Sequence, residues 1–372
     1  MKFENINTEK CKARVLVAPL DWGLGHATRC IPIICELLRL NYDVLVAAEG
    51  KTKNLLQKEF PGLVFLPLTG YKMHYSNSKF LLPLSLFIQL PKLLRRIYYE
   101  HKWLKKTIRD YNINVVISDN RPGLYHSIIP CIYITHQLKI KTGNRFTELI
   151  AQKIHYFFIN RYITCWVPDN ELENNLAGAL SHPEHLPKTP VQYLGSLSRF
   201  EKIKIEKIYD YLILISGPEP QRTVFEKLML KELIKTPGKA LLVRGLPGNE
   251  KLIPYGDERV EIHNHLTAME LNKAIQQSGI IISRSGYTTV MDLITLQQRA
   301  ILIPTPGQTE QEYLAEYLMQ KKIFFTTPQN NFSLKDVLNE IIDFPFTVIN
   351  IQQDKYKEMI KEFVQQVLQS RT

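Results

Sequence analysis

A short apolar run at residues 13–19 (ARVLVAP) stops at Asp21-Trp22-Gly23-Leu24-Gly25 and gives way, over residues 26–40, to Ile31, Ile34, Cys35, Leu37 and Leu38 at helical spacing. An unalternating apolar run bounded by turn residues marks a strand covered on both faces, so this pattern predicts a parallel strand feeding a helix. Residues 43–48 (DVLVAA) supply the next strand. The resulting βαβ unit commits the chain to layers of helices over a parallel sheet.

The alternation goes on with strand patterns at 63–68, 114–118 (NVVIS), 128–135 (IIPCIYIT) and 163–167, and helical patterns at about 80–111 and 146–162. It breaks at Pro183, Pro187 and Pro190, then at Tyr193-Leu194-Gly195-Ser196 and the charged stretch 199–207, where an interdomain linker is expected. A second series follows: strand 210–216, helix 221–235, strand 239–244, helix 268–278, strand 279–283, helix 288–296 and strand 300–304. A chain of 372 residues exceeds what one compact core sustains. The expectation is two Rossmann-like doubly wound α/β domains facing a cleft, at 1–196 and 208–347, with a C-terminal segment 348–372. Its helix, about 354–369, carries Met359, Ile360, Phe363, Val364 and Val367 on one face, which must pack back on the domains.

Composition narrows the class. With 45% hydrophobic and 22% charged residues the chain matches ordinary globular proteins. Cys11, Cys30, Cys35, Cys131 and Cys165 form no C-x-x-C pair, which fits reduced thiols, and residues 1–10 lack the apolar run of a secretory signal, so a cytoplasmic setting is expected. The formal charge of +11 fits an acidic partner, whether nucleic acid, anionic membrane or phosphorylated small molecule. No nucleic-acid motif or aromatic-basic interleaving accompanies it.

The first loop, residues 23–29, places Gly23, Gly25 and His26 at the carboxyl edge of the sheet, where α/β proteins bind ligands. The helix N-terminus should lower the pKa of His26 and keep it neutral, as a general base must be; the alternative is a capping histidine. The third glycine of a dinucleotide fingerprint is missing where Thr28 stands, and no P-loop occurs. Asp119 ends a strand at the same edge and either pairs with His26 or caps the turn Asn120-Arg121-Pro122-Gly123. In the second series, Ser285, Gly286 and Thr288 at a helix start suit a diphosphate, Asp292 one turn on suits ribose hydroxyls, and Gln308, Gln311 and Glu312 suit sugar hydroxyls. Arg244 or Arg284 could stabilise leaving-group charge. No Asp-x-Asp occurs to hold a divalent cation on a diphosphate, so no metal is expected.

The stretch 283–317 (SRSGYTTVMDLITLQQRAILIPTPGQTEQEYLAEY) resembles the C-terminal signature of the family 28 (MurG-like) glycosyltransferases, and Gly23-Leu24-Gly25-His26-Ala27-Thr28-Arg29 is similar to their N-terminal glycine loop. The resemblance implies the GT-B fold and a metal-independent, inverting transfer of sugar from a UDP-sugar to an acceptor hydroxyl, with a His-Asp pair as base. It puts Asp292 at the ribose-binding acid, where the family usually has Glu, and Gln311 at a donor-sugar contact. Glu312 replaces the second Gln of the family pair, which leaves the donor sugar open. Ser216 and Gly217 fall on a phosphate-side loop, though Pro218-Glu219-Pro220 departs from its glycine-rich form, and His265 and Leu266 fall where a uracil would sit, unless His263 and His265 are plain surface histidines. The resemblance extends to UDP-sugar hydrolases with the same Gly-x-Gly-His-x-x-Arg loop, which remain the alternative. Because family members include enzymes with lipid-linked or cell-envelope acceptors, the apolar stretch 80–97 followed by Lys92, Arg95, Arg96, Lys102, Lys105, Lys106 and Arg109 is expected to touch the inner face of the membrane, while being too short to span it.

Overall fold

The computed structural model describes residues 13–71, 82–172, 174–248 and 255–369. The first series builds β1 (Arg14–Pro19), α1 (Leu24–Arg39), β2 (Asp43–Ala47), α2 (Gly50–Glu59), β3 (Val64–Leu66), α3 (Leu82–Tyr111), β4 (Val115–Asp119), β5 (Cys131–Ile134), α4 (Arg145–Ile159), β6 (Thr164–Val167) and β7 (Val191–Tyr193). These strands form one parallel sheet in the order β3-β2-β1-β4-β5-β6-β7. The second series gives β8 (Tyr209–Leu214), α5 (Gln221–Lys235), β9 (Ala240–Val243), β10 (Val260–His263), α6 (Ala268–Gln276), β11 (Ser278–Ser283), α7 (Tyr287–Thr295), β12 (Ala300–Leu302), α8 (Thr309–Gln320), β13 (Phe325–Thr326) and α9 (Leu334–Glu340). Its parallel sheet runs β10-β9-β8-β11-β12-β13, so the same winding occurs twice and the strand order reverses beside the first strand of each sheet.

The strands are legible because they are buried on both faces. Every residue of β4, β5, β6 and β9 is buried, and most of their side chains are Val, Ile, Leu, Cys and Trp. The strands that the pattern does not reveal are edge strands, and the short helices α2 and α9 also go unread. β7, inside the stretch read as linker, pairs three residues with β6, and the two-residue β13 pairs with β12. The chain therefore passes from one sheet to the other between Tyr193 and Tyr209. Part of the charged stretch is fixed along the second sheet: Ile203 N donates to Gln276 Oε1 at 2.8 Å and Lys207 Nζ to the Ser278 carbonyl at 2.6 Å.

The final helix, α10 (Lys355–Gln369), folds back on the first sheet as its apolar face requires. Ile360 and Val364 are fully buried, and Phe363 meets Trp166 of β6 edge-on at 5.5 Å. Residues 1–12 and residues 80 and 81 of the expected membrane-contact stretch lie outside the described residues.

Candidate active site

The carboxyl ends of the two sheets face each other. α1 begins at the glycine loop with Gly23 as N-cap, and α7 begins after Ser285 with Gly286 as N-cap; neither cap residue offers a side-chain hydrogen bond, and neither first turn holds an acidic residue. The two helix starts meet across the domain boundary, where Thr288 Oγ1 donates to the Gly25 carbonyl at 3.2 Å. Two positive helix ends with unpaired N–H groups in this arrangement favour an anion between them. Gly25 permits the approach, since a Cβ there would stand 3.0 Å from Thr288 Oγ1.

His26 lies in the first turn of α1 and Asp119 at the end of β4, which neighbours β1. Their side chains meet as the pattern suggests, with Asp119 Oδ2 3.1 Å from His26 Nδ1. The carboxylate does not turn to cap residues 120–123; Ser118 Oγ instead donates to the Arg121 carbonyl at 2.7 Å. A third partner, Arg29, completes the group. Its Nε donates to both oxygens of Asp119 at 3.0 and 2.9 Å, its Nη2 also contacts Asp119 Oδ1, and that same Nη2 lies 2.9 Å from His26 Nδ1. Burial raises the Asp119 carboxyl, yet Arg29 and then His26 outweigh it and hold the group at about 2. The pKa of His26 is lowered, first by burial and then by Arg29, against the opposing pull of Asp119. The direction agrees with the expectation from the helix N-terminus; the largest contributors are burial and an arginine one turn along the same helix.

The Gly-x-Gly-His-x-x-Arg motif contains Arg29 but gives it no role, although its i, i+3 spacing from His26 sets both on one helix face. Two further residues escaped notice. His136, just past β5, lies 2.9 Å through Nδ1 from Arg29 Nη1, and its Nε2 lies 2.7 Å from Glu310 Oε1 in the first turn of α8. Its ring stacks on Tyr287 at 4.3 Å, with 4° between the planes. The signal for His136 is its strand-end position, since Ile134 is in register with Asp119.

On the second sheet the expected donor residues divide. Ser285 and Gly286 sit at the α7 start, with Ser285 Oγ donating to the Gln311 carbonyl at 2.8 Å. Gln308 is the N-cap of α8 and accepts from Gln311 N, while Gln311 Oε1 accepts from Thr305 N at 2.9 Å and Glu312 Oε1 from Gly307 N at 3.0 Å. These side chains shape the loop 304–308. Ser216 and Gly217 are exposed after β8. His265 and Leu266 are half-buried beyond β10, whereas His263 pairs with Glu261 on the surface. Asp292 is buried and accepts from Ser198 Oγ at 2.6 Å; burial raises its carboxyl to about 6, partly countered by Arg199.

The arginines expected to meet leaving-group charge belong to the framework instead. Arg244 Nε donates to Glu226 Oε1 at 2.9 Å and its Nη1 to Asn264 Oδ1 at 2.6 Å, while Glu226 also binds Arg222. Arg284, 1% exposed, lies 4.0 Å over the Phe225 ring and donates to the Ile303 and Pro304 carbonyls and to Gln329. Both start from strand ends, but their guanidinium groups tie the sheet to α5 and to the loops after β10 and β12 (Asn264; Pro304).

Comparison with known proteins decides what this geometry belongs to. Residues 248–369 match the glycosyltransferase family 28 C-terminal domain. An uncharacterized glycosyltransferase of Methanopyrus kandleri is 21% identical over 88% of this chain and 97% of its own. The UDP-N-acetylglucosamine–N-acetylmuramyl-(pentapeptide) pyrophosphoryl-undecaprenol N-acetylglucosamine transferase of Colwellia psychrerythraea is 24% identical over 77% of this chain and 76% of its own. This chain is a glycosyltransferase of the GT-B fold whose C-terminal part is similar to family 28. Among solved structures the transferase is similar in fold to the spinosyn rhamnosyltransferase SpnG, with a TM-score of 0.63 at 13% identity over 95% of this chain and 96% of that one. The kitacinnamycin glycosyltransferase gives 0.61 at 12% identity, over 96% and 95%.

Proposed function

We propose that the transferase moves a sugar from a UDP-sugar to an acceptor hydroxyl with inversion, without a metal, and with His26 as general base. The observation that carries this reading is the placement of His26 and Asp119, 3.1 Å apart, beside the junction where the α1 and α7 starts meet. With its proton on Nδ1, shared with Asp119, the ring offers Nε2 to the acceptor hydroxyl; the acceptor oxygen attacks the anomeric carbon as the bond to the diphosphate breaks. The helix N-termini stabilise the departing UDP, in keeping with a sequence that has no Asp-x-Asp for a cation. Asp292 would accept from the ribose and the loop 304–312 would face the sugar. The name of the Colwellia relative, which includes both UDP-N-acetylglucosamine and an undecaprenol-linked acceptor, supports the uridine nucleotide and a lipid-linked acceptor.

Contact with the inner face of the cytoplasmic membrane is supported by the surface of the first domain. No described helix is long and apolar enough to cross a membrane. α4 presents Phe146, Leu149, Ile150 and Phe157 to solvent, between 44% and 71% exposed, at the i, i+3, i+4, i+11 spacing of one face. On the adjoining α3, Leu94, Tyr98 and Tyr99 are exposed beside Lys92, Arg95 and Lys102. An apolar stripe flanked by cations suits an anionic bilayer.

Calorimetry of the purified protein against UDP, GDP, TDP and ATP, followed by UDP release with and without phosphatidylglycerol vesicles carrying polyprenyl-linked acceptor, tests the reading. Selective UDP binding with release only when the acceptor is present supports it. Release in water alone would favour a hydrolase, and no nucleotide binding would overturn both.

A further inference from the structure

His136 stands where the two domains exchange a chain of polar contacts, and its partners fix its own protonation pattern. A guanidinium can only donate, so His136 Nδ1, 2.9 Å from Arg29 Nη1, must be the acceptor. Its proton then sits on Nε2 and is donated to Glu310 Oε1 at 2.7 Å. His136 is thereby a neutral bridge with both nitrogens committed, one to the first domain and one to α8 of the second, and its ring is clamped flat against Tyr287 of α7.

The other end of the guanidinium governs His26. Arg29 Nη2 and Asp119 Oδ2 approach the same atom, His26 Nδ1, at 2.9 and 3.1 Å. The nitrogen can donate to the carboxylate or accept from the guanidinium, but not both at once. In the first case Nε2 is a free base; in the second it carries the proton and cannot be one. Where the guanidinium stands therefore selects the His26 tautomer, and Arg29 Nη1 is held by His136.

We propose that His136 is a positioning residue that relays Glu310 of the donor-side domain through Arg29 to His26, so that the tautomer and basicity of His26 depend on contact between the domains. The proposal deepens the reading of His26 as base and rests on it for its catalytic meaning, but the coupling itself is measured on the ring. The charged and titratable groups facing His26 are Arg29 and Cys30 from α1, Asp119 from β4, His136 after β5 and Glu310 from α8. Of these only His136 touches both Arg29 and the second domain.

The test is an NMR titration of the full-length protein with labelled histidines, the His26 signals being assigned from their loss in His26→Ala. In the wild type His26 should titrate below its ordinary value of 6.5. His136→Phe keeps the stacking on Tyr287 but frees Arg29 Nη1, and should raise the His26 midpoint by at least about half a unit and change its nitrogen tautomer shifts. His136→Gln, whose amide accepts from Arg29 and donates to Glu310, should restore the wild-type curve. Glu310→Ala, at a half-buried position in the first turn of α8, gives a test of sign. Loss of its negative charge acting directly would lower the His26 midpoint, whereas loss of positioning raises it. A His26 curve unmoved in His136→Phe, an equal shift in His136→Gln, or a lowered midpoint in Glu310→Ala would overturn the relay. Turnover surviving in His26→Ala would instead remove the base assignment and leave the coupling standing.

Discussion

Ser198 Oγ donates to Asp292 Oδ1 at 2.6 Å, tying the segment between the two sheets to the acid expected to bind the donor ribose. Arg199 lies close enough to lower the same carboxyl, while burial raises it to about 6. A ribose hydroxyl must compete for this oxygen, and it is a good acceptor only when ionised. UDP affinity should therefore fall as pH drops through about 6, and calorimetry should show Asp292→Asn binding UDP more weakly and with that pH dependence flattened. Asp292→Ala should weaken UDP binding by about 10-fold or more, about 1.4 kcal/mol. The linkage sign is opposite for stability. With its folded pKa above the usual 3.8, the carboxyl binds more protons folded than unfolded, so its contribution to stability is present below 3.8 and lost as pH rises through about 6.

His26→Ala should spare UDP binding and reduce turnover by about 10²- to 10⁴-fold, the usual contribution of a general base. The depressed pKa of the imidazole keeps it neutral through the physiological range, and activity should fall only as pH drops through a midpoint below 6.5. A pH profile of kcat checks this, and wild-type turnover in His26→Ala would remove the assignment.

Gly25→Ala places a Cβ 3.0 Å from Thr288 Oγ1 at the point where the domains touch. The neighbour must give by a few tenths of an ångström, so steady-state kinetics should show turnover falling several-fold. Thr288→Ala in the same chain removes the obstructing hydroxyl and should recover part of that loss.

Arg244→Ala should act on stability. It removes one partner of the buried Glu226 carboxylate, which Arg222 still holds, so the loss should be near the lower end of the range for breaking a buried pair, about 3 kcal/mol. Thermal unfolding should show a melting temperature lowered by several degrees, with UDP affinity of the folded protein unchanged. A large loss of UDP affinity at unchanged stability would return Arg244 to the donor site.

The sequence by itself determined the class of fold and the sheet edge that carries the chemistry. Strands buried on both faces leave uninterrupted apolar runs, and β1, β4, β8 and β11 are readable because each carries such a run, with polar residues only at or next to its ends. The edge strands β7 and β13, two or three residues long, leave no such run. His26 and Asp119 were legible together because a residue at a strand end and one in the following loop share an edge whenever their strands are neighbours. Only the tertiary structure decided which polar groups meet. Arg244 and Arg284 occupy the same kind of strand-end position as Asp119, but buried acceptors lie within reach of their long side chains and claim them. Arg29, His136 and Glu310 come from three elements, 107 and 174 residues apart in successive steps, and no local pattern encodes their contact. Burial is the physical reason, since in a dry cleft each donor must find its acceptor wherever the fold brings one.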